Sequence, residues 1–255
     1  MPRLDRNGVH IHYEVAGSGL PILLSHGYSA TSHMWEGQVA ALADRYRVIT
    51  WDMRGHGKSD YPTDPAEYSE KHTVDDMAAI LGACGIDRAV IGGLSLGGVM
   101  SLGFQDAYPQ MVCALMLFDT GPGFRNAEAR QTWNERTLQR ADDLEKRGLA
   151  ALSRSDEVRL GEHRSADGLV SAARGMMTQS DDHLIRALPN IKVPTLVLVG
   201  ADDKNFLAAT DYMEVKIPNA TKVIIPDAGH AANLHQPAAF NAAVLAFLAS
   251  LPSAA

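Results

Sequence analysis

The sequence predicts an α/β protein with a mostly parallel central sheet, helices on both faces and a helical cap insert. Three observations lead to this fold class. Short apolar runs alternate with segments of helical spacing over residues 1–120. Residues 121–189 are charged and helical in pattern, and apolar runs return from residue 190 onward. Strands that alternate with helices imply βαβ units and a sheet that is covered on both sides.

The predicted strands are short, and all but the first are almost wholly apolar. Residues 9–15 alternate apolar and polar side chains, as a half-exposed strand does. The continuous apolar runs are residues 21–27, 47–52, 88–93, 112–120, 193–200 and 221–229. Helical spacing marks residues 34–44, 73–84 (with Thr73 or Asp75 near its start), 96–109 and 237–251. Continuous apolar strands favour a parallel sheet that is buried on both faces.

The domain organisation follows from the change in composition at residue 121. We expect residues 1–120 and 190–255 to form one core, with residues 121–189 as a cap over the carboxyl ends of the strands. The chain has 255 residues and is 46% hydrophobic, which is enough to bury a large core. The alternative is that residues 121–189 are ordinary surface helices without a role at the site.

Composition and charge also indicate which kinds of binding partner to expect. A formal net charge of -7 argues against nucleic acid and anionic membranes as partners. The N-terminal residues lack the apolar run of a signal peptide, and no segment has the length of a membrane span. Cys84 and Cys113 predict buried free thiols in a reducing compartment. We therefore expect a cytoplasmic protein, a monomer or homodimer, that acts on a small molecule.

One serine stands in a motif with chemical meaning. Residues 93–97, Gly-Leu-Ser-Leu-Gly, fit G-x-S-x-G at the end of a predicted strand and the start of a predicted helix. This is the context of a nucleophile elbow, a strained turn that exposes the Ser95 hydroxyl and needs small neighbours at Gly93 and Gly97. Gly98 would let the following helix approach the sheet. The alternative is a glycine-rich connection with an ordinary serine.

A nucleophilic serine needs a base, and the base needs an orienting acid. His230 follows the last predicted strand and is the predicted base. Asp203 follows the preceding strand and is the favoured acid. Asp202 beside it and Asp119, which also ends a strand, remain alternatives.

Acyl transfer also needs hydrogen-bond donors for the developing oxyanion. The N–H of Leu96 follows the nucleophile directly, and the N–H of Tyr28 would come from the loop after an early strand. His26 is predicted to support that loop rather than to transfer protons. Predicted substrate-binding side chains are Trp35, Phe124 and Trp133; for Trp35, and for the Tyr28 ring, core packing is the alternative.

Together these segments resemble the α/β-hydrolase superfamily over nearly the whole chain. The matching stretches are HGY at 26–28, WDMRGHGKS at 51–59, GLSLGG at 93–98, GADD at 200–203 and GH at 229–230. The resemblance implies the same triad, the same oxyanion donors, and a cap inserted after the sixth strand. It also implies that residues 52–59 form a structural turn; Asp52 stands where a phosphate-binding loop needs its first glycine, which excludes nucleotide binding there.

The superfamily fold does not by itself fix the reaction. Haloalkane dehalogenases and epoxide hydrolases use an aspartate where this chain has Ser95. The chain is similar to small carboxylesterases and to 3-oxoadipate enol-lactonases, which implies a serine hydrolase acting on a small ester or lactone. Alternatives are carbon–carbon bond hydrolysis of ring-cleavage products, cofactor-free perhydrolase or haloperoxidase activity, hydroxynitrile lyase or acyltransferase activity, and a ligand-sensing receptor.

Neither a cofactor nor a metal is expected. The sequence has no G-x-G-x-x-G after a strand and no C-x-x-C. His10 and His12 lie two residues apart on a predicted strand and face the same side, but no third ligand lies nearby. A solvated strand is therefore preferred over a zinc site.

Overall fold

The computed structural model describes residues 3–252, and eight strands form its central sheet. The strands are β1 (Arg3–Arg6), β2 (Val9–Ala16), β3 (Leu20–Ser25), β4 (Tyr46–Trp51), β5 (Ala89–Leu94), β6 (Val112–Phe118), β7 (Thr195–Gly200) and β8 (Ala220–Ile225). Their spatial order is β1-β2-β4-β3-β5-β6-β7-β8. β2 pairs antiparallel with β1 and β4, and the six strands from β4 to β8 in this order run parallel. The carboxyl ends of these six strands therefore share one edge.

Helices cover both faces of this sheet, as the sequence predicted. They are α1 (Glu36–Leu42), α2 (Glu70–Ala83), α3 (Leu96–Ala107), α4 (Ala127–Arg147), α5 (Asp156–Arg159), α6 (Asp167–Ala172), α7 (His183–Ala187), α8 (Leu207–Lys216), α9 (Ala232–His235) and α10 (Pro237–Ser250). One apolar cluster packs α2, α3 and α8 on the sheet, and a second packs α1 and α10 on the other face. The predicted α/β fold class is confirmed.

Strand β5 shows why the runs are continuously apolar. Ile91 belongs to the cluster on one face, while Val90 and Leu94 belong to the cluster on the other. Successive side chains of a strand point to opposite faces, so a strand that is buried on both faces has no polar position. The same division holds in β7, where Val197 faces one cluster and Leu198 the other.

Several elements differ from the prediction, and β1 and α2 show why. β1 has the sequence RLDR, which carries no apolar run, and it forms through its antiparallel pairing with β2. Helix α2 begins at Glu70 rather than near Thr73, because the Ser69 side chain caps it by accepting the His72 N–H at 3.1 Å. The apolar periodicity starts later than this cap, and periodicity alone therefore misses the first turn.

The segment between β6 and β7 contains helices α4 to α7. Helix α4 is 21 residues long; Asn126 caps its start by accepting the Ala129 N–H, and Gly148 with φ 62° follows its last residue. Its buried residues Ala141 and Leu144 belong to the same apolar cluster as Leu169 of α6. These helices therefore pack through residues that belong to the core cluster, and their role as a cap stays a prediction.

Across residues 3–252, none of the helices combines the length and the apolar character that a membrane span requires.

Candidate active site

Ser95 lies at the carboxyl edge of the sheet, between the end of β5 and the start of α3. Its backbone has φ 55° and ψ −115°, a conformation that L residues rarely adopt and that other contacts must hold. The Ser95 N–H donates to the Phe118 carbonyl at 3.0 Å, and the Thr120 hydroxyl donates to the Ser95 carbonyl at 2.7 Å. The end of β6 therefore fixes the strained turn on both sides of the Ser95 side chain.

The glycines around Ser95 are required because a larger side chain at these positions would overlap neighbouring atoms. A β-carbon at Gly93 would overlap the backbone of Gly97, and one at Gly97 would overlap the carbonyl of Ser25. At Gly98 a β-carbon would come within 2.5 Å of the Thr120 side chain. Gly98 thus makes room for the residue that bonds the Ser95 carbonyl, a more specific reason than the predicted approach of a helix to the sheet.

His230 and Asp203 come together across the ends of β7 and β8. Nδ1 of His230 lies 2.7 Å from Oδ2 of Asp203, whose side chain is buried. Burial acts to lower the pKa of His230, but the hydrogen bond and charge of Asp203, with the charges of Asp119 and Glu157, outweigh it and raise that pKa. The site therefore favours a protonated imidazole more strongly than water does.

The other two candidate acids occupy different positions. Asp119 is wholly buried and accepts hydrogen bonds from the N–H of Gly200 at 2.8 Å and of Ala232 at 3.4 Å. Burial raises the pKa of Asp119 to about 7. Asp202 is exposed in a turn. Of the three aspartates, Asp203 is therefore the one that lies against the imidazole, while Asp119 joins the two loops that carry Asp203 and His230.

The loop after β3 lies beside Ser95. A β-carbon at Gly27 would sit 3.6 Å from Cβ of Ser95, which shows how closely the two segments approach. Within residues 3–252, neither the Tyr28 N–H nor the Leu96 N–H donates to a protein acceptor. Both N–H groups are thus available as donors, and their role as an oxyanion hole stays a prediction.

Two histidines, His26 and His163, hydrogen-bond to the loop after β3. The buried His26 donates from Nδ1 to the Gly27 carbonyl at 2.7 Å and accepts at Nε2 from the Met53 N–H at 3.0 Å. Burial lowers its pKa, so the ring stays neutral and keeps both bonds. His163 donates from Nε2 to the Ser29 carbonyl at 3.0 Å. The contacts of His26 agree with its predicted role, whereas no sequence signal pointed to His163.

The turn at residues 52–59 is tied to the same loop. Asp52 accepts from the N–H of Ser32 at 2.8 Å and of Lys58 at 2.9 Å. Arg54 and Asp76, both buried, form a two-point ion pair at 2.6 and 2.9 Å. These contacts give the turn a structural part in holding the loop after β3.

The predicted substrate residues divide into two groups. Trp35 has no exposed surface and packs with Phe118 and Phe240, which makes it a core residue and corrects its assignment to the pocket. An aromatic residue that follows a strand-end loop has the same sequence pattern whether it lies in a pocket or in the core, so the sequence did not separate the two.

Phe124 and Trp133 lie together with ring centroids 5.7 Å apart, and the Trp133 N–H donates to the Met177 carbonyl. Their role in binding substrate stays a prediction.

The remaining histidines and the cysteines form no site of their own. His10 pairs with Asp60 at 2.9 Å and His12 with Glu14 at 3.0 Å. In the part of the chain that the structure describes, no group of three or more His, Cys, Asp or Glu side chains could hold a metal ion. Cys84 and Cys113 are free but only half-buried, which corrects their predicted burial.

The sequence profile described as "Alpha/beta hydrolase family" matches residues 22–243, a range that includes Ser95, Asp203 and His230. The chain belongs to this family. The resemblance inferred from the motifs is thereby confirmed, and the parallel sheet with its covering helices is the alpha/beta hydrolase fold.

Three proteins are similar over nearly the full chain. A thermophilic esterase from Thermogutta terrifontis, solved with malate bound, has 29% identity and a TM-score of 0.83, with 99% of this chain and 100% of that one covered. An enol-lactonase from Burkholderia xenovorans LB400 has 28% identity and a TM-score of 0.80, with 98% and 100% covered. A Bacillus subtilis (strain 168) protein, provisionally described as a 2-succinyl-6-hydroxy-2,4-cyclohexadiene-1-carboxylate synthase, is 29% identical over 264 residues, with 94% and 96% covered.

Proposed function

We propose that this protein is a serine hydrolase that cleaves a small carboxylic ester or lactone through an acyl-enzyme. The observation that carries the proposal is the contact of His230 Nδ1 with Asp203 at 2.7 Å. With Nδ1 engaged by the carboxylate, Nε2 is the nitrogen left to exchange a proton with the Ser95 hydroxyl. The similarity to an esterase and to an enol-lactonase supports the same class of reaction.

In the proposed reaction, Ser95 Oγ attacks the carbonyl carbon while His230 Nε2 takes the hydroxyl proton. The N–H groups of Tyr28 and Leu96 donate to the tetrahedral oxyanion, which they stabilise more strongly than the flat carbonyl. His230 returns the proton to the leaving alkoxide, and the acyl-enzyme remains. Asp203 keeps the imidazole in one orientation and stabilises its charged form.

Deacylation repeats these steps with water in place of the alcohol. His230 takes a proton from water, the hydroxide attacks the acyl carbonyl, and Ser95 Oγ leaves with the proton that His230 returns. The net change adds one water to the ester and releases an acid and an alcohol, or one hydroxy acid from a lactone. No metal or redox cofactor enters this balance.

The test compares wild type with Ser95→Ala on 4-nitrophenyl acetate, 4-nitrophenyl butyrate and a panel of lactones. We expect turnover by the wild type and a loss on the order of 10³-fold or more in the variant, because the nucleophile is gone. Equal activity of both proteins would contradict the role of Ser95. A wild type inactive on every ester and lactone would contradict the proposed reaction.

A second candidate rests on the Bacillus subtilis relative, which is named as a synthase rather than as a hydrolase. A reaction that forms such a ring carboxylate would take place in the same site, beside Ser95 and His230. This candidate predicts that the purified protein forms the ring carboxylate from a precursor while the ester and lactone panel stays unreactive. The two esterase-like neighbours make hydrolysis the better supported reaction.

A further inference from the structure

We propose that the cap residue Glu157 makes the enzyme select substrates by charge, favouring esters with a cationic or neutral acyl chain over esters that carry a carboxylate. This inference rests on the proposed ester hydrolysis and names its substrate class. The carboxylate lies on a short segment of the cap, residues 156–163, called here the bridging segment. The segment connects the two halves of the candidate active site.

One end of the bridging segment is tied to the loop of the base. Asp156 lies 3.4 Å from Nε2 of His235, and Nδ1 of His235 accepts the Gly229 N–H at 2.9 Å. Gly229 immediately precedes His230 in the chain. The contact of Asp156 therefore reaches the backbone that positions the imidazole.

The other end of the bridging segment is tied to the oxyanion loop. His163 donates to the Ser29 carbonyl at 3.0 Å, and Ser29 follows Tyr28 directly. A β-carbon at Gly161 would sit 3.1 Å from the same carbonyl. The segment thus runs from the loop of His230 to the loop of Tyr28, and Ser95 lies between these two loops.

The middle of the bridging segment turns Glu157 inward. Glu157 is 8% exposed and Val158 is 6% exposed, whereas Leu160 is 46% exposed. Because the ends of the segment contact the loops of His230 and Tyr28, the buried side that carries Glu157 faces these loops. In agreement with this position, the negative charge of Glu157 is among those that raise the pKa of His230. A buried carboxylate whose charge acts on the His230 imidazole would also act on a substrate bound beside that imidazole.

The surroundings of Glu157 leave it able to bind a donor. The Ser155 hydroxyl donates to Oε1 at 2.6 Å. A carboxylate accepts about four hydrogen bonds, so this contact uses only part of its capacity. An ammonium or hydroxyl group on the substrate would occupy the remaining positions, while a substrate carboxylate would be repelled by a like charge in a poorly screened site.

The positive charge of Arg140, near the Tyr28 ring, should affect a bound substrate less than the charge of Glu157 does. The Arg140 guanidinium lies 6.0 Å from the centroid of the Tyr28 ring, but Arg140 is exposed. Solvent and salt screen an exposed charge much more than a buried one. Of these two charges, the buried Glu157 therefore acts more strongly on a bound substrate than the exposed Arg140 does.

The experiment measures kcat/KM for three 4-nitrophenyl esters of matched chain length: the hexanoate, the 6-aminohexanoate and the adipate monoester. For the wild type we expect the adipate monoester to be about tenfold or more slower than the hexanoate, and the 6-aminohexanoate to be at least as fast. In Glu157→Gln the difference between the two charged esters shrinks by about tenfold. Glu157→Asp keeps the charge and the preference.

The matched control is Glu162→Gln, which removes the same charge from an exposed position of the same segment. It should leave the three rates within about twofold of wild type, because solvent screens that site. The proposal is overturned if the wild type hydrolyses the adipate monoester as fast as the hexanoate, a result that does not depend on the folding of any variant. It is equally overturned if a folded Glu157→Gln keeps the wild-type ratio. A wild type that fails to hydrolyse the hexanoate would instead overturn the proposed function.

Discussion

The Phe206 ring stacks on the imidazole of His230, with centroids 5.1 Å apart and 23° between the planes. The Phe206 N–H donates to the Asp203 carbonyl at 3.0 Å, so one turn supplies both the acid and a flat surface for the base. Asp203 fixes one nitrogen of the ring, and Phe206 limits rotation of its plane. The orientation of the imidazole therefore depends on two neighbours in the same turn.

We expect Phe206→Ala to lower kcat for 4-nitrophenyl butyrate by about tenfold, with a smaller change in KM, because a loosely held base loses its alignment with Ser95. Phe206→Tyr keeps the flat surface and serves as the control, with kcat within about twofold of wild type. Steady-state kinetics separates kcat from KM. A wild-type kcat in the alanine variant would show that Asp203 alone orients the imidazole.

The two buried aspartates should respond differently to the same isosteric change. Asp203→Asn should lower kcat on the order of 10⁴-fold, because an amide cannot stabilise the charged imidazole and favours the wrong tautomer. Asp119→Asn keeps an oxygen that accepts the Gly200 N–H and should cost far less activity. Kinetics of both variants on one ester tests the difference. If the larger loss fell on Asp119, the acid would have to be reassigned.

The acidic limb of the kcat/KM profile should lie above pH 6.5. His230 must be neutral to accept the serine proton, and its pKa in the folded protein is raised above 6.5. Activity should therefore fall as pH decreases through that raised value and reach a plateau at higher pH. Rates on a neutral ester, measured from pH 5.5 to 9, locate the midpoint. A midpoint below 6.5 would mean that burial outweighs the acidic neighbours of His230.

The ion pair of Arg54 with Asp76 should matter for stability. Asp76→Ala should lower the free energy of unfolding by about 3 kcal/mol, because the buried Arg54 guanidinium would lose its two-point partner and keep only Glu67. The adjacent Asp75 pairs with the exposed Lys71 and accepts from the Tyr108 hydroxyl, so Asp75→Asn, which keeps an oxygen for that hydroxyl, is the control and should cost about 1 kcal/mol or less. Urea unfolding of both variants makes the comparison. Equal losses would show that water reaches Arg54 once Asp76 is gone.

The architecture and the order of the reactive residues were predictable because both depend on short, local patterns. Apolar runs mark strands that are buried on both faces, and their ends mark the edge where Ser95, Asp203 and His230 lie. The cap was harder, since residues 121–189 contain no strand to fix where a side chain points. His163 acquires its position through a contact with the loop of Ser29, which is distant in sequence, and the burial of Glu157 follows from how its segment packs rather than from a local pattern. The assignment of Trp35 to the pocket was wrong for a related reason, because aromatic residues are typical both of the core and of substrate pockets.

The overlap that a side chain at Gly97 would make with the Ser25 carbonyl has a practical consequence. Two stretches of main chain touch there, and they carry the N–H groups of Tyr28 and Leu96. The distance between these two N–H groups is thus set by the backbone contact of Gly97 with Ser25 rather than by a side chain. Substitutions of nearby side chains should therefore leave the spacing of these two N–H groups unchanged as long as Gly97 is kept.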